Sequence, residues 1–282
     1  MVATVTPFPE GFGAEISGLD LSKPLSGEDR AIVYDAFLDH HLISIPGQSL
    51  SPGEAVTAAG IFGDDLEPHL FKHFHHPKTP LIMVLSNRTE DDGQGGKKPK
   101  GMADAGSFWH TDLSYKPNPA KATMLYALEI PLDGGDTLFC NLTAAYEALT
   151  DAMKKRLDGL RAVHNYAYVP RDVFTSGKVT PPPDCSQPLI RTHPETGRKA
   201  IYISPFYMVR IEGLAEDDSE ALKKEIYDHC LQDRFRMEYK WRTGDVLAWD
   251  NAALMHSATT KTLDPSKHRT LWRATISGEP AF

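Results

Sequence analysis

The segment Phe108-Trp109-His110-Thr111-Asp112 offers an imidazole and a carboxylate two residues apart. In an extended strand residues i and i+2 share a face, so His110 and Asp112 can present a nitrogen and an oxygen to one metal ion. Such pairs arise by chance in a chain with 12 histidines, so the reading needs a third donor. Two imidazoles and one carboxylate on one face of an octahedral iron(II) leave three positions for a bidentate co-substrate and dioxygen. The candidate is His256, just past the β-rich run 245–249. His193-Pro194-Glu195 is a local rival, but its Pro and the following Gly197 mark a surface turn.

Beyond His256 runs Arg269-Thr270-Leu271-Trp272-Arg273-Ala274-Thr275. In a strand Arg269 and Arg273 look the same way, with Cα atoms roughly 13 Å apart. Each guanidinium can then clamp a carboxylate or sulfonate in bidentate fashion; the competing reading is two arginines paired with acids or facing water. The sequence shows no nucleophile elbow, P-loop, HExxH or dinucleotide-binding glycine pattern.

The elements that must hold these residues are mostly strands. Short β-rich runs occur at 42–45, 81–85, 123–130, 200–204, 235–241, 246–249 and 270–276, and helical periodicity at 26–40, 144–157 and 219–231. Strands separated by turns rather than helical crossovers predict a mainly antiparallel sheet, sandwich or barrel with helices outside. At 282 residues, with 41% hydrophobic and 24% charged residues, the chain is one elaborated globular domain and not a collagen-like or disordered one. The net charge of −8, without a long basic run, disfavours DNA and RNA as partners. Cys140, Cys185 and Cys230 are too widely spread for a zinc knuckle or disulfide scaffold, which predicts free thiols. No long apolar run suggests a membrane span and residues 1–11 lack a signal-peptide pattern, so a soluble cytoplasmic protein is expected.

The order Trp109-His110-Thr111-Asp112, Gly134-Gly135-Asp136-Thr137, Trp249-Asp250-Asn251, His256, Arg269 and Arg273 resembles the TauD/TfdA family of iron(II)- and 2-oxoglutarate-dependent dioxygenases. The resemblance runs from about Phe8 to the C-terminus and takes in the turn Arg191-Thr192-His193-Pro194-Glu195-Thr196-Gly197-Arg198. It implies a double-stranded β-helix (jelly-roll) core with flanking α-helices, a single domain over 1–282, and a lid-like loop region at about 66–106. It implies iron on His110, Asp112 and His256, and 2-oxoglutarate with its distal carboxylate on Arg269 and Thr137. Oxidative decarboxylation with O2 would give succinate and carbon dioxide while a small anionic substrate, a sulfonate, sulfate ester or carboxylate, is oxidised. Arg273 would bind the substrate anion, His69 and Tyr207 would line its pocket, and the assembly would be a homo-dimer or tetramer. Asp250 and Asn251 are expected to hydrogen-bond the ligands, and Trp109 and Trp249 to pack the core or wall the pocket.

Two departures argue against taurine itself. Ala252 stands where many members show Arg, and residues 87–108 are longer. That stretch resembles aryloxyalkanoate and alkylsulfate relatives, and its Lys97, Lys98 and Lys100 could draw an anion locally. The alternatives are a hydroxylase or desaturase of an amino-acid-like metabolite on the same scaffold, a zinc hydrolase using the same three ligands, and a non-catalytic binding module.

Overall fold

The structure is a computed structural model that describes residues 3–9, 11–167 and 180–282. Strand Val246–Asp250 is buried at every position, a pattern that requires cover on both faces. It pairs antiparallel with Leu42–Ile45 on one side and Ala120–Glu129 on the other. These are central members of an eight-stranded sheet whose order is Thr4–Pro7, Ala14–Ser17, Leu42–Ile45, Val246–Asp250, Ala120–Glu129, Thr270–Ser277, Thr79–Ser86, His75–His76. Facing it is a three-stranded sheet ordered Arg236–Tyr239, Thr137–Asn141, Leu254–Ala258.

Period-two alternation decides which residues meet between the sheets. Leu125, Leu247, Trp249 and Leu271 of the large sheet pack with Phe139, Tyr239 and Leu254 of the small one. The rings of Phe139 and Trp249 meet edge-on at 5.4 Å. The intervening residues Met124, Tyr126, Val246, Ala248 and Ala274 turn the other way, onto Val33 and Phe37 of helix Gly27–His40 and Ala55 and Ala59 of helix Pro52–Ala59. On the small sheet, Cys140 and Met255 point outward to Leu142, Ala145, Leu222 and Ile226 of helices Leu142–Glu147 and Glu216–Cys230. The chain is thus mainly sheet, with helices on both outer faces.

Several expectations change. The helix expected over 144–157 is two, Leu142–Glu147 and Asp151–Leu157, because Thr150 breaks the run to cap the second by accepting from Met153 N. Residues 66–106 are not one loop: Thr79–Ser86 within them is a strand of the large sheet. Further on, Thr89–Asp91 and Lys97–Pro99 form a hairpin in which Lys97 pairs with Asp91 and Lys98 with Glu90. Two of the three lysines expected to draw an anion thus carry acidic neighbours that offset their charge at the surface. All three cysteines are free. No helix among the described residues is long and apolar enough to cross a membrane.

Candidate active site

His256 lies on strand Leu254–Ala258 opposite Phe139, so it shares the inward face of the small sheet. It forms a two-way backbone pair with His110, with N–H to O distances of 3.0 and 2.9 Å, and this pair sets the two imidazole centroids 4.2 Å apart. His110 is only a single bridge residue, not part of a strand. Asp112 therefore does not reach the site by strand periodicity: the chain turns at Asp112, and Leu113 adopts the left-handed region at φ 55°. The turn brings donor atoms of His110, Asp112 and His256 within 4.8 Å of one another.

Hydrogen bonds fix which atoms face the centre. His110 Nδ1 lies 2.8 Å from the carbonyl of Phe108 and must carry the proton there, which leaves Nε2 as the lone-pair atom, 3.4 Å from Asp112 Oδ1. His256 Nε2 lies 3.6 Å from Asp112 Oδ2. Asp112 is held in turn: Thr123 donates to Oδ2 at 2.7 Å, and the Asp112 N–H donates to Asn251 Oδ1 at 3.3 Å. Asn251 also donates to Thr123 at 3.1 Å and accepts from Trp249 Nε1 at 3.3 Å. Gly106, at φ 71°, packs so closely that a Cβ there would sit 2.8 Å from His110 Cε1.

Electrostatics keep the donors in their ligating forms. Burial alone would raise the Asp112 carboxyl, but the charge of Arg273, together with His256 and His110, holds it well below the usual range. Burial, then proximity to His110, pushes His256 well below its ordinary value, so its imidazole stays neutral. Neutral imidazoles and an ionised carboxylate are what a divalent metal needs. His256 Nδ1 is buried without a hydrogen-bond partner, an orphan consistent with a ring placed for its other nitrogen. Two nitrogens and one carboxylate converging at one buried point fit iron(II) in the facial geometry.

Beside the triad is a cavity of about 200 Å³ lined by His110, Asp112, Arg273, His69 and Tyr207, with Asp104 and a mixed wall of aliphatic and aromatic residues completing it. Arg273 Nη2 lies 2.8 Å from Asp112 Oδ1. Phe108 stacks on Phe206, and Tyr115 and Tyr166 pack beside Tyr207. These aromatics escaped sequence reasoning because their positions carry no metal-type spacing. His73, His75 and His76 do not reach this cavity; His75 and His76 form a short edge strand.

Arg269 lies in an adjoining narrow cleft that shares Asp104 with the main cavity. Its Nε donates to the Gly135 carbonyl at 2.7 Å, and no carboxylate pairs with it among the described residues. Burial depresses its pKa to about 10 against the opposing charge of Asp136. Thr137 shares the inward face with Phe139, and its Oγ1 accepts from Trp241 Nε1 at 3.0 Å. That bond fills an acceptor lone pair and leaves the Thr137 proton free to donate. Trp241, whose ring centroid is 5.9 Å from the Arg269 guanidinium, was another residue the sequence did not single out.

The rival His193 is no metal ligand. The expected turn is present at 194–196, but the His193 side chain itself is buried: Nδ1 accepts from the N–H groups of Glu195 and Thr196, so Nε2 carries the proton and donates to Asp250 Oδ2 at 2.8 Å. Asp250 thus belongs to a structural network, whereas Asn251 is the residue that touches Asp112 and Thr123.

The model of the family described as "Taurine catabolism dioxygenase TauD, TfdA family" matches residues 4–275. Among curated relatives, the alkylsulfatase of Acinetobacter baylyi is 30% identical over 95% of this chain and 82% of its own length. The alpha-ketoglutarate-dependent 2,4-dichlorophenoxyacetate dioxygenase of a Burkholderia species is 31% identical, over 95% and 92%. Among solved structures, a taurine dioxygenase from Burkholderia xenovorans superposes with a TM-score of 0.83 at 31% identity, covering 100% of this chain and 91% of its own. A match running through nearly every element that carries the triad and the two arginines means that the chain belongs to the TauD/TfdA family.

Proposed function

We propose that this chain is a 2-oxoglutarate-dependent non-haem iron dioxygenase that oxidises a C–H bond in a small molecule with an anionic head and an apolar body. The facing sheets would form the double-stranded β-helix that carries it. The observation behind this reading is the buried His110–Asp112–His256 set with Arg273 in the cavity beside it and Arg269 in the adjoining cleft. Bound iron(II) supplies the dioxygen chemistry, in which 2-oxoglutarate, O2 and R–H become succinate, CO2 and R–OH.

The protein's own residues do the positioning. His110 Nε2, Asp112 and His256 Nε2 would hold the metal, with Thr123 and Asn251 fixing the carboxylate in place. Arg269 offers a buried, unpaired guanidinium and Thr137 a free O–H proton, a donor pair suited to the distal carboxylate of 2-oxoglutarate. Arg273, which pairs with Asp112 at 2.8 Å and lines the same cavity, would offer its guanidinium to the substrate anion. His69 and Tyr207 line the same cavity, and Phe108, Tyr115 and Phe206 exclude water and favour an apolar or aryl body over a short polar one such as taurine.

Oxygen uptake and succinate release, measured with iron(II) and 2-oxoglutarate against hexyl sulfate, phenoxyacetate and taurine, test this reading. Uptake stimulated by the first two more than by taurine is expected. Arg273→Gln should raise KM for the anion about tenfold or more while sparing basal 2-oxoglutarate consumption. Turnover that is independent of oxygen and 2-oxoglutarate would instead support the hydrolase.

A further inference from the structure

Leu113 follows Asp112 directly and stands at φ 55°, in the left-handed region that a leucine adopts only at a cost. The Lys116 N–H donates to the Leu113 carbonyl at 2.8 Å and closes a turn over 113–116. Leu113 is the first residue of that turn, so this bond does not set its φ. The Asp112 backbone makes two longer contacts of 3.3 Å each, from its N–H to Asn251 Oδ1 and from the Ala120 N–H to its carbonyl. A hold from outside the turn is needed to fix how the turn sits relative to Asp112.

That hold comes from strands that carry none of the three metal donors. Arg161–His164 and Cys185–Pro188 pair antiparallel, with Ala162 opposite Gln187 and His164 opposite Cys185, so His164 and Gln187 emerge on one face. His164 Nδ1 lies 3.0 Å from Ser114 Oγ. Gln187, only 2% exposed, donates from Nε2 to two main-chain carbonyls, Ser114 at 3.0 Å and Lys116 at 2.7 Å. Two carbonyl partners identify that atom as the amide nitrogen and occupy both its hydrogens. The turn is thus pinned to a strand more than 70 residues away, and the left-handed leucine is the joint between the pinned turn and the metal-binding carboxylate.

We infer that Gln187 is a positioning residue for the metal centre: by tying the turn 113–116 to the strand Cys185–Pro188 it holds Leu113 left-handed and keeps Asp112 aimed at His110 and His256. The inference rests on the reading of that triad as a metal centre. Without the clamp Leu113 relaxes toward a right-handed or extended φ, and the Asp112 carboxylate leaves the place where its oxygens lie 3.4 and 3.6 Å from the two imidazoles.

Manganese(II) binding to the metal-free full chain, followed by the electron paramagnetic resonance signal of the free ion, tests this through a double-mutant cycle. Gln187→Met keeps an unbranched side chain and removes both donors; it should weaken manganese binding about tenfold. Leu113→Gly accepts a positive φ without steric cost, so in that background Gln187→Met should weaken binding only about twofold. A general loss of stability would lower affinity alike in both backgrounds, so equal losses, or no loss in Gln187→Met, would overturn the assignment. Because Gln187→Met can fail to fold, a second arm leaves Gln187 in place. Leu113→Asn should bind manganese more tightly than Leu113→Val, although valine is the closer match in polarity, because a β-branched residue resists φ 55° and asparagine accepts it. Equal binding, or the reverse order, would contradict the role given to the turn. A wild-type chain that binds no manganese would remove the metal-centre reading itself, whereas wild-type binding that Gln187→Met leaves unweakened removes this inference alone.

Discussion

Asp112 is the residue on which the site turns, because it receives a hydroxyl bond from Thr123, an ion pair from Arg273, and the approach of both imidazoles. Removing Thr123 Oγ1 without changing shape isolates the support from the ligand itself. Thr123→Val should weaken metal affinity by about ten- to a hundredfold, measured by competition with a chelator, while the fold persists. Gly106→Ala tests packing on the same centre: both its φ of 71° and the 2.8 Å approach to His110 Cε1 resist a methyl group. Metal loading should fall in that variant, with near-native secondary structure by circular dichroism; full loading would show that the imidazole can move aside.

At the scale of elements, the alternation that puts Leu271 inward and Ala274 outward also puts Arg273 inward, so core and substrate pocket share one periodicity, whereas Arg269 precedes the strand and a register shift separates it from Leu271. Phe139→Ala, which empties the space beside the paired rings of Trp249 and His256, should cost about 3–5 kcal/mol in denaturant unfolding. Ser51→Ala removes a capping box, in which Ser51 and Glu54 each accept from the other's N–H, and should cost about 1 kcal/mol. That Ser-x-x-Glu signature was present in the sequence, yet the eight-residue Ala-rich helix behind it was too short to show clear periodicity. Helix Gly27–His40 was legible because Ser26 caps it and Val33, Ala36 and Phe37 repeat on one face. His256 was legible by type, but its strand, Leu254–Ala258, was not, since it is buried at nearly every position and lacks alternation. The turn at Asp112 was invisible for a different reason: nothing in Asp-Leu-Ser announces a left-handed leucine. The partner of Thr137, Trp241, depends on a contact 104 residues away that no local pattern encodes.

For the whole molecule, acid sensitivity follows from buried groups that must stay in one protonation state. His164 is buried against Ser114, just past the turn at Asp112, and burial lowers its pKa from 6.5 to about 3. The unfolded chain therefore binds a proton that the folded one refuses: stability from this residue is complete above about pH 6.5 and is lost as pH falls toward 3, at roughly 1.4 kcal/mol per unit. Asp250 contributes in the same direction at lower pH, since His193 and His41 outweigh the opposing effect of burial and keep it ionised. Urea midpoints between pH 7 and 4 should decline in wild type, and the decline should flatten in His164→Asn; parallel curves would assign the acid sensitivity elsewhere.

The central claim is that one buried set of two imidazoles and a carboxylate, flanked by Arg269, assembles an iron and 2-oxoglutarate centre. Its most direct test is anaerobic addition of iron(II) and 2-oxoglutarate to the metal-free protein, following the weak visible charge-transfer absorption of the chelate. The band should form in wild type, vanish in Asp112→Ala, require more 2-oxoglutarate in Arg269→Gln, and survive in Arg273→Gln. A folded, iron-loaded wild-type protein that gives no band with 2-oxoglutarate would contradict the claim.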